Sequence, residues 1–262
     1  MVYLYAQTKD KQYSYIDSAQ AKGYNVLLLN GELDTAMVSM LERKFEKSRF
    51  ASVDSDVIDR LIVKEDEKKE ELAESKKDIL KSLFQTQMPK MEKKEFNVDA
   101  QAMGESAAPV VITQSEYMRR MKEMSRIQQG MGFYGEMPDM LNVVLNTDHK
   151  LVKDVLTEGE NATAEALKPI LGEIAGLTAR RDAINQQNKD KKWDEIPQES
   201  KDDLSNTEKQ ITEQQEKKTA IIADYAKDNK IVHLLIDLAL LQNGLLTGEA
   251  LNKFVRRSIE LI

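Results

Sequence analysis

Residues 231–262, IVHLLIDLALLQNGLLTGEALNKFVRRSIELI, decide how the rest of this chain is read. Over residues 231–241 nearly every position is apolar, so a helix there is hydrophobic around almost its whole circumference and has to be covered on all sides. Gly244 breaks that helix, and Thr247 offers an N-cap to a second one. In the second helix Leu251, Phe254, Val255, Ser258, Ile259 and Ile262 recur at three- and four-residue steps, with Lys253, Arg256, Arg257 and Glu260 on the other side. Such a pair carries more apolar surface than one chain end readily buries. A second copy, giving a four-helix bundle across a two-fold axis, is the economical cover. An ordinary core hairpin is the other reading that the pattern leaves open.

Composition fits a helical protein. The 262 residues are 32% charged and 41% apolar with only 6% aromatic, which suits long solvated helices and not an all-β fold. A formal net charge of −7 gives no reason to expect nucleic acid as a partner. There is no cysteine, and His149 and His233 are the only histidines. Thiol chemistry, disulfides and histidine-rich metal sites are thereby excluded, and a reducing, cytoplasmic setting is expected. The longest apolar run, about eleven residues, is half a bilayer span. The opening MVYLYAQTKDK lacks the pattern of a signal peptide, so neither membrane nor export is expected.

Residues 1–63 alternate strand and helix: VYLYA, YSYIDSAQAKG, YNVLLLN, DTAMVSMLERKF and RFASVD. That β-α-β-α-β order predicts a small three-layer unit with a parallel sheet. About sixty residues is small for a free-standing α/β domain, so a larger partner domain is expected to accompany it. Residues 64–86, rich in interleaved Lys and Glu, read as a connector helix that turns amphipathic at Ile79, Leu80, Leu83 and Phe84. Residues 87–262 then form a mainly helical domain with a short sheet. Its strands are KMEKKEFNV, APVVIT and MLNVVLN, with a helix over SEYMRRMKEMSRIQQ and a short helix over residues 149–156 capped near Asp148. Within residues 160–229, Leu167, Ile170, Ile174, Leu177 and Ile184 make a heptad-like stripe, and Ser200 with Asp203 suggests a capped restart. An antiparallel helical hairpin with a polar tip near Trp193 is the expected form. The fold class is α+β, predominantly helical.

Two motifs mislead. Gly130, Gly132 and Gly135 spell the dinucleotide fingerprint, but that chemistry needs a strand before the loop and a helix after it, and here the order is inverted. Asp54 and Asp56 could begin a calcium loop, yet the turn glycine and closing glutamate are absent. No nucleophile elbow or phosphate-binding loop is present, and nothing argues for catalysis. The methionines are more informative. Tyr117, Met118, Met121, Met124, Ile127, Met131 and Phe133 crowd one segment. Taken singly each is ordinary core; as a set beside a glycine-rich loop they suggest an adaptable apolar contact surface.

VYLYAQTKDKQYSYIDSAQAKGYNVLLLNGELDTAMVSMLERKF and SRFASVDSDVIDRLI resemble the last α/β subdomain of the middle region in the bacterial branch of the ninety-kilodalton heat-shock chaperone family. APVVITQSEYMRRMKEMSRIQ, LNVVLNTDHKLV and GEALNKFVRRSIELI look like that family's C-terminal domain, in the family's order. Residues 160–229 are longer than the family usually carries there. The resemblance implies an ATP- and magnesium-dependent chaperone, homodimeric through its C-terminal helices, that holds unfolded or partly folded proteins. Carried over by position, Leu234, Leu235, Leu238, Leu241, Leu245, Leu251, Phe254, Val255 and Ile259 fall at the dimer bundle. Met118, Met121, Met124, Ile127, Met131 and Phe133 fall on the client-facing segment. The family's ATP site and catalytic arginine have no counterpart among these residues, so neither ATP binding nor hydrolysis is expected of this chain. The rival readings are a coiled-coil scaffold working through residues 162–228, and a small α/β enzyme using the strand ends of residues 1–60.

Overall fold

A computed structural model describes residues 1–31, 33–62, 71–127 and 137–260. The first unit runs β1 (Val2–Ala6), α1 (Tyr13–Ala21), β2 (Val26–Leu28), α2 (Asp34–Lys44), β3 (Arg49–Ser52) and a one-turn α3 (Ile58–Leu61). Its strands lie in the order β2-β1-β3, and both pairings are parallel. Leu4 and Ala6 of β1 pack with Tyr15 and Ala19 of α1, while Tyr5 between them packs with Val38 of α2 on the other face. Successive side chains of a strand point to opposite faces, so a strand covered on both sides reads as an unbroken buried run. Leu4, Tyr5 and Ala6 are such a run.

The connector helix expected over 64–86 is shorter where it is described. Residues 71–73 are not helical, Ala73 is extended, and α4 spans Glu74–Gln85. It buries Leu80, Leu83 and Phe84 completely. These residues open a second, larger core, shared with a sheet of β4 (Lys94–Gln101), β5 (Val110–Gln114) and β6 (Asp139–Asn146). The order is β4-β6-β5, with β6 parallel to β4 and antiparallel to β5. Helix α5 (Glu116–Ile127) lies between β5 and β6 in the chain.

Beyond β6 the short helix expected over 149–156 is instead the first two turns of α6 (Lys150–Gln187), a single 38-residue helix that also forms the first arm of the hairpin. Its cap is His149, whose Nδ1 accepts from Leu151 N–H, because the Asp148 carboxylate is already taken by Gly104 N–H at 2.7 Å. Gly159, within this helix, is a contact residue: a Cβ there would lie 2.9 Å from a Leu83 methyl. The second arm, α7 (Gln198–Lys227), starts two residues before Ser200, behind Pro197. The arms are antiparallel, since Arg180 pairs with Asp203 while Gly159 approaches Tyr225. Leu167, Ile222 and Ala226 at the root join the main core, whereas Ile184 and Ile211 farther out are buried by the hairpin itself. The chain closes with α8 (Lys230–Gln242) and α9 (Gly248–Glu260). Gly244, at φ +66°, donates to Leu241 O and Leu245 N–H to Leu240 O, the paired bonds of a left-handed helix stop.

Candidate functional site

The methionine segment is attached to the molecule in an unusual way. Strand β3 is an outer strand; Arg49 and Val53 N–H groups bond to Met1 and Tyr5 carbonyls, which leaves the backbone of Phe50 and Ser52 turned to the free edge. An exposed edge of this kind invites another strand. Here side chains occupy it. Glu42 of α2 accepts from Phe50 N–H at 2.7 Å, Arg120 of α5 donates to the Phe50 carbonyl at 2.8 Å, and Glu116 accepts from Ser52 N–H at 3.1 Å. The three charged groups are also joined to one another. Arg120 donates through Nε to Glu116 at 2.6 Å and through Nη1 to Glu42 at 2.7 Å. Glu116 further accepts from the Tyr5 hydroxyl at 2.7 Å and from Arg119 at 2.9 Å. Burial pushes the Glu116 carboxyl up, but the Arg119 guanidinium, the Tyr5 hydroxyl and Arg120 outweigh it and hold the group below the ordinary glutamate value. Burial, reinforced by Glu116, pushes the Tyr5 phenol well above its usual value. On its other side α5 is tied to the second sheet, where Lys122 pairs with Asp139 and Asp139 with Lys94.

Tyr117 is exposed, and Met118, Met121 and Met124 are half-buried. Among the described residues none of these methionines belongs to a hydrophobic core cluster. Met121, Met124, Tyr117 and Phe50 instead line an open cleft of about 500 Å³ between α5, α2 and β3, with Glu42, Arg49 and Arg120 among its polar members. Ile127 ends α5 and its side chain lies outside the described residues, as do Met131 and Phe133 entirely. Phe50, Glu42 and Arg120 escape a sequence reading, because their roles depend on which strand ends at the sheet edge. The Arg119–Arg120 pair set among methionines is the one local signal.

The terminal helices divide their apolar residues. Leu235 (1% exposed) and Phe254 (9%) are part of the protomer's own core, and Leu234, Leu245 and Leu251 pack against it half-buried. By contrast Leu238 (44%), Leu241 (39%), Val255 (45%) and Ile259 (67%) are open to solvent. An Arg257–Asp237 ion pair ties α9 to α8. Helix α8 is thus left exposed at Leu238 and Leu241, and α9 at Val255 and Ile259.

The sequence has named relatives. Over all 262 residues the chain is 59% identical to "Chaperone protein HtpG" of Bacteroides fragilis, 58% to that of Bacteroides thetaiotaomicron and 43% to that of Porphyromonas gingivalis. The chain belongs to the HtpG family. It spans 38% of the length of these curated relatives. No protein-family model matches it. Because the HtpG alignments run through residues 160–229, the long hairpin is shared with these relatives and is not peculiar to this chain.

The sequence carries no phosphate-binding loop, and among the described residues no three of His, Asp and Glu gather to hold a metal ion. Asp54 and Asp56 are used locally, by Ser52 Oγ and by Val57 N–H with Arg60. The Gly130–Gly132–Gly135 triplet lies outside the described residues. Among those described, no helix is long and apolar enough to cross a membrane.

Proposed function

We propose that this chain is the part of an HtpG-type chaperone that joins two copies and presents one face to non-native polypeptides. The observation that carries the reading is the division of the last two helices. A folded unit that has already filled its core with Leu235 and Phe254 still exposes Leu238, Leu241, Val255 and Ile259 on adjacent helices. Several large apolar side chains left exposed on two helices that pack together point to an interaction site, and the helical pair is suited to form half of a four-helix bundle. The cleft beneath α5 supports the second role. Its apolar members are two methionines, which adapt to many side-chain shapes, and two aromatics, and its polar members are two serines with Glu42, Arg49, Glu116 and Arg120. Chaperone relatives along the full chain favour this over a scaffold role for residues 162–228, whose apolar stripe is buried at Leu167 and Ile184 and half-buried at Ile170, Ile174 and Leu177.

Sedimentation equilibrium tests the first role. The chain is expected to be a dimer at micromolar concentration, and removal of residues 244–262 is expected to give monomers; a monomeric intact chain overturns the reading. For the second, Met121→Ser with Met124→Ser should weaken suppression of a model substrate's aggregation while leaving the dimer unchanged. Nucleotide chemistry is assigned to no residue here, and titration with ATP is expected to show no saturable binding.

A further inference from the structure

We propose that Glu116 and Arg120 are the positioning residues of the polypeptide-binding cleft: gripping the free edge of β3, they hold α5 in place by charge where other helices of this fold are held by apolar packing. The proposal rests on the reading of that cleft given above. Three observations lead to it. First, α5 contributes no residue to either main core among the described residues, whereas α4, α6 and α8 are anchored by almost completely buried Leu83, Val152 and Leu235. Second, three backbone groups of the β3 edge, the Phe50 N–H and carbonyl and the Ser52 N–H, are bonded by side chains of α2 or α5, while the Ser52 carbonyl goes to Ser55, so the grip reads backbone position. Third, the same residues that grip also line the cleft: Glu42, Glu116 and Arg120 stand beside Phe50, Tyr117, Met121 and Met124.

The physical consequence follows from what ion pairs do and do not supply. Taking charges out of water largely cancels their mutual attraction, so a partly buried network adds little net stability, but removing one member strands the others. Such a network is directional where apolar packing is not. It suits a helix whose exposed face must keep its place while its methionines stay free to repack against successive polypeptides. A helix held this way responds to ionic strength, whereas one held by a core does not.

Hydrogen exchange on the full chain, resolved over residues 116–127 and 49–53, tests this. In Arg120→Gln, exchange through α5 and at the Phe50 and Ser52 amides is expected to rise about tenfold or more, with α6 unchanged. Arg120→Lys, which keeps the charge but not the forked geometry, should fall between. Raising salt from about 0.1 M to about 1 M shortens the screening length from about 10 Å to about 3 Å, and should accelerate α5 exchange in the unaltered chain more than in Arg120→Gln. Equal α5 protection in the unaltered chain and Arg120→Gln, or a salt response no larger in the former, overturns the proposal. Binding of reduced, carboxymethylated α-lactalbumin as an unfolded probe should weaken about tenfold in Arg120→Gln. Met121→Ser separates the two readings: it should lose probe affinity with α5 protection intact. Unchanged probe affinity in Met121→Ser would remove the cleft's assigned role while the exchange data still decide whether the grip exists.

Discussion

The Tyr15 hydroxyl lies 2.8 Å from Asn243 Oδ1, joining residues 228 positions apart. Tyr15 belongs to α1 of the first unit, and Asn243 caps the C-terminus of α8, one residue before the turn into α9. The same hydroxyl also meets the Ile112 carbonyl in β5, so one proton serves two acceptors from two elements of the second unit. Burial pushes the phenol far above its ordinary value, and it stays protonated at any working pH. Replacing Tyr15 with Phe keeps the ring and removes the link, leaving a buried carbonyl without its donor. A loss of about 1–3 kcal/mol in urea unfolding is expected. A change smaller than the error of that measurement would mean that water replaces the hydroxyl at no cost.

A second expectation contrasts two glycines of α6. Gly159 faces Leu83, which is completely buried, and a methyl group would sit 2.9 Å from it. Gly176 on the same helix has open space where its Cβ would be. Alanine is better than glycine in a helix by about 1 kcal/mol, and overpacking a core costs about 1–3 kcal/mol. Gly176→Ala should therefore raise the melting temperature and Gly159→Ala should lower it. Stabilisation by both would show that Leu83 has room to turn away.

Those glycines also show where the sequence is legible and where it is not. The strands and helices of residues 1–62 can be read because each obeys one period, and β1's unbroken apolar run by itself announces a two-faced sheet. Glycine weakens helices locally, and only the approach of α4, far away in sequence, explains why Gly159 sits within one. Terminal residues Leu235 and Phe254 share a spacing with Leu238 and Ile259, so periodicity identifies the apolar set without assigning its members to inside or outside. The grip on β3 is less legible still. Glu42, Glu116 and Arg120 are ordinary surface types until the strand order β2-β1-β3 puts an unpaired edge beside them.

Acid should loosen α5 before it melts the cores. Burial raises Glu116, Asp139 and Asp99, but cations and hydrogen-bond donors outweigh it and leave all three below their ordinary values, with Arg119, the Tyr5 hydroxyl and Arg120 acting on Glu116, Lys122 and Lys94 on Asp139, and Arg60 on Asp99. A group whose folded value is depressed contributes stability above its unfolded value and loses it as pH falls through the folded one. The unfolded references are 4.5 for Glu116 and 3.8 for the aspartates, so the loss should begin near pH 4.5 and continue below it. Asp56 and Asp237 run the other way: burial pushes them up despite nearby cations, and protonation relieves them. Whole-chain melting is therefore blunted while exchange within α5 is not. Pepsin-resolved exchange between pH 5 and pH 3, referenced to intrinsic rates, checks this, and uniform loosening of α5 and α6 would contradict it.

The terminal helices give the sharpest separation, because one stripe serves the fold and the adjacent one is free. Phe254→Ala opens a hole in the main core and should cost about 3–5 kcal/mol of stability. Leu238→Ser and Ile259→Ser touch side chains already in solvent within the protomer, so unfolding measured at monomeric dilution should move by no more than about 0.5 kcal/mol. If the two exposed side chains are buried against a second copy, each contributes about 1.5–3 kcal/mol to association. Each serine variant should then weaken the dimer by about tenfold to a hundredfold. The comparison must be made at matched concentration, since dissociation alone lowers an apparent melting temperature by mass action. Sedimentation that shows unchanged association in Leu238→Ser and Ile259→Ser would place the contact between copies elsewhere on the chain, and a fold loss in either would mean that the exposed stripe supports the protomer itself.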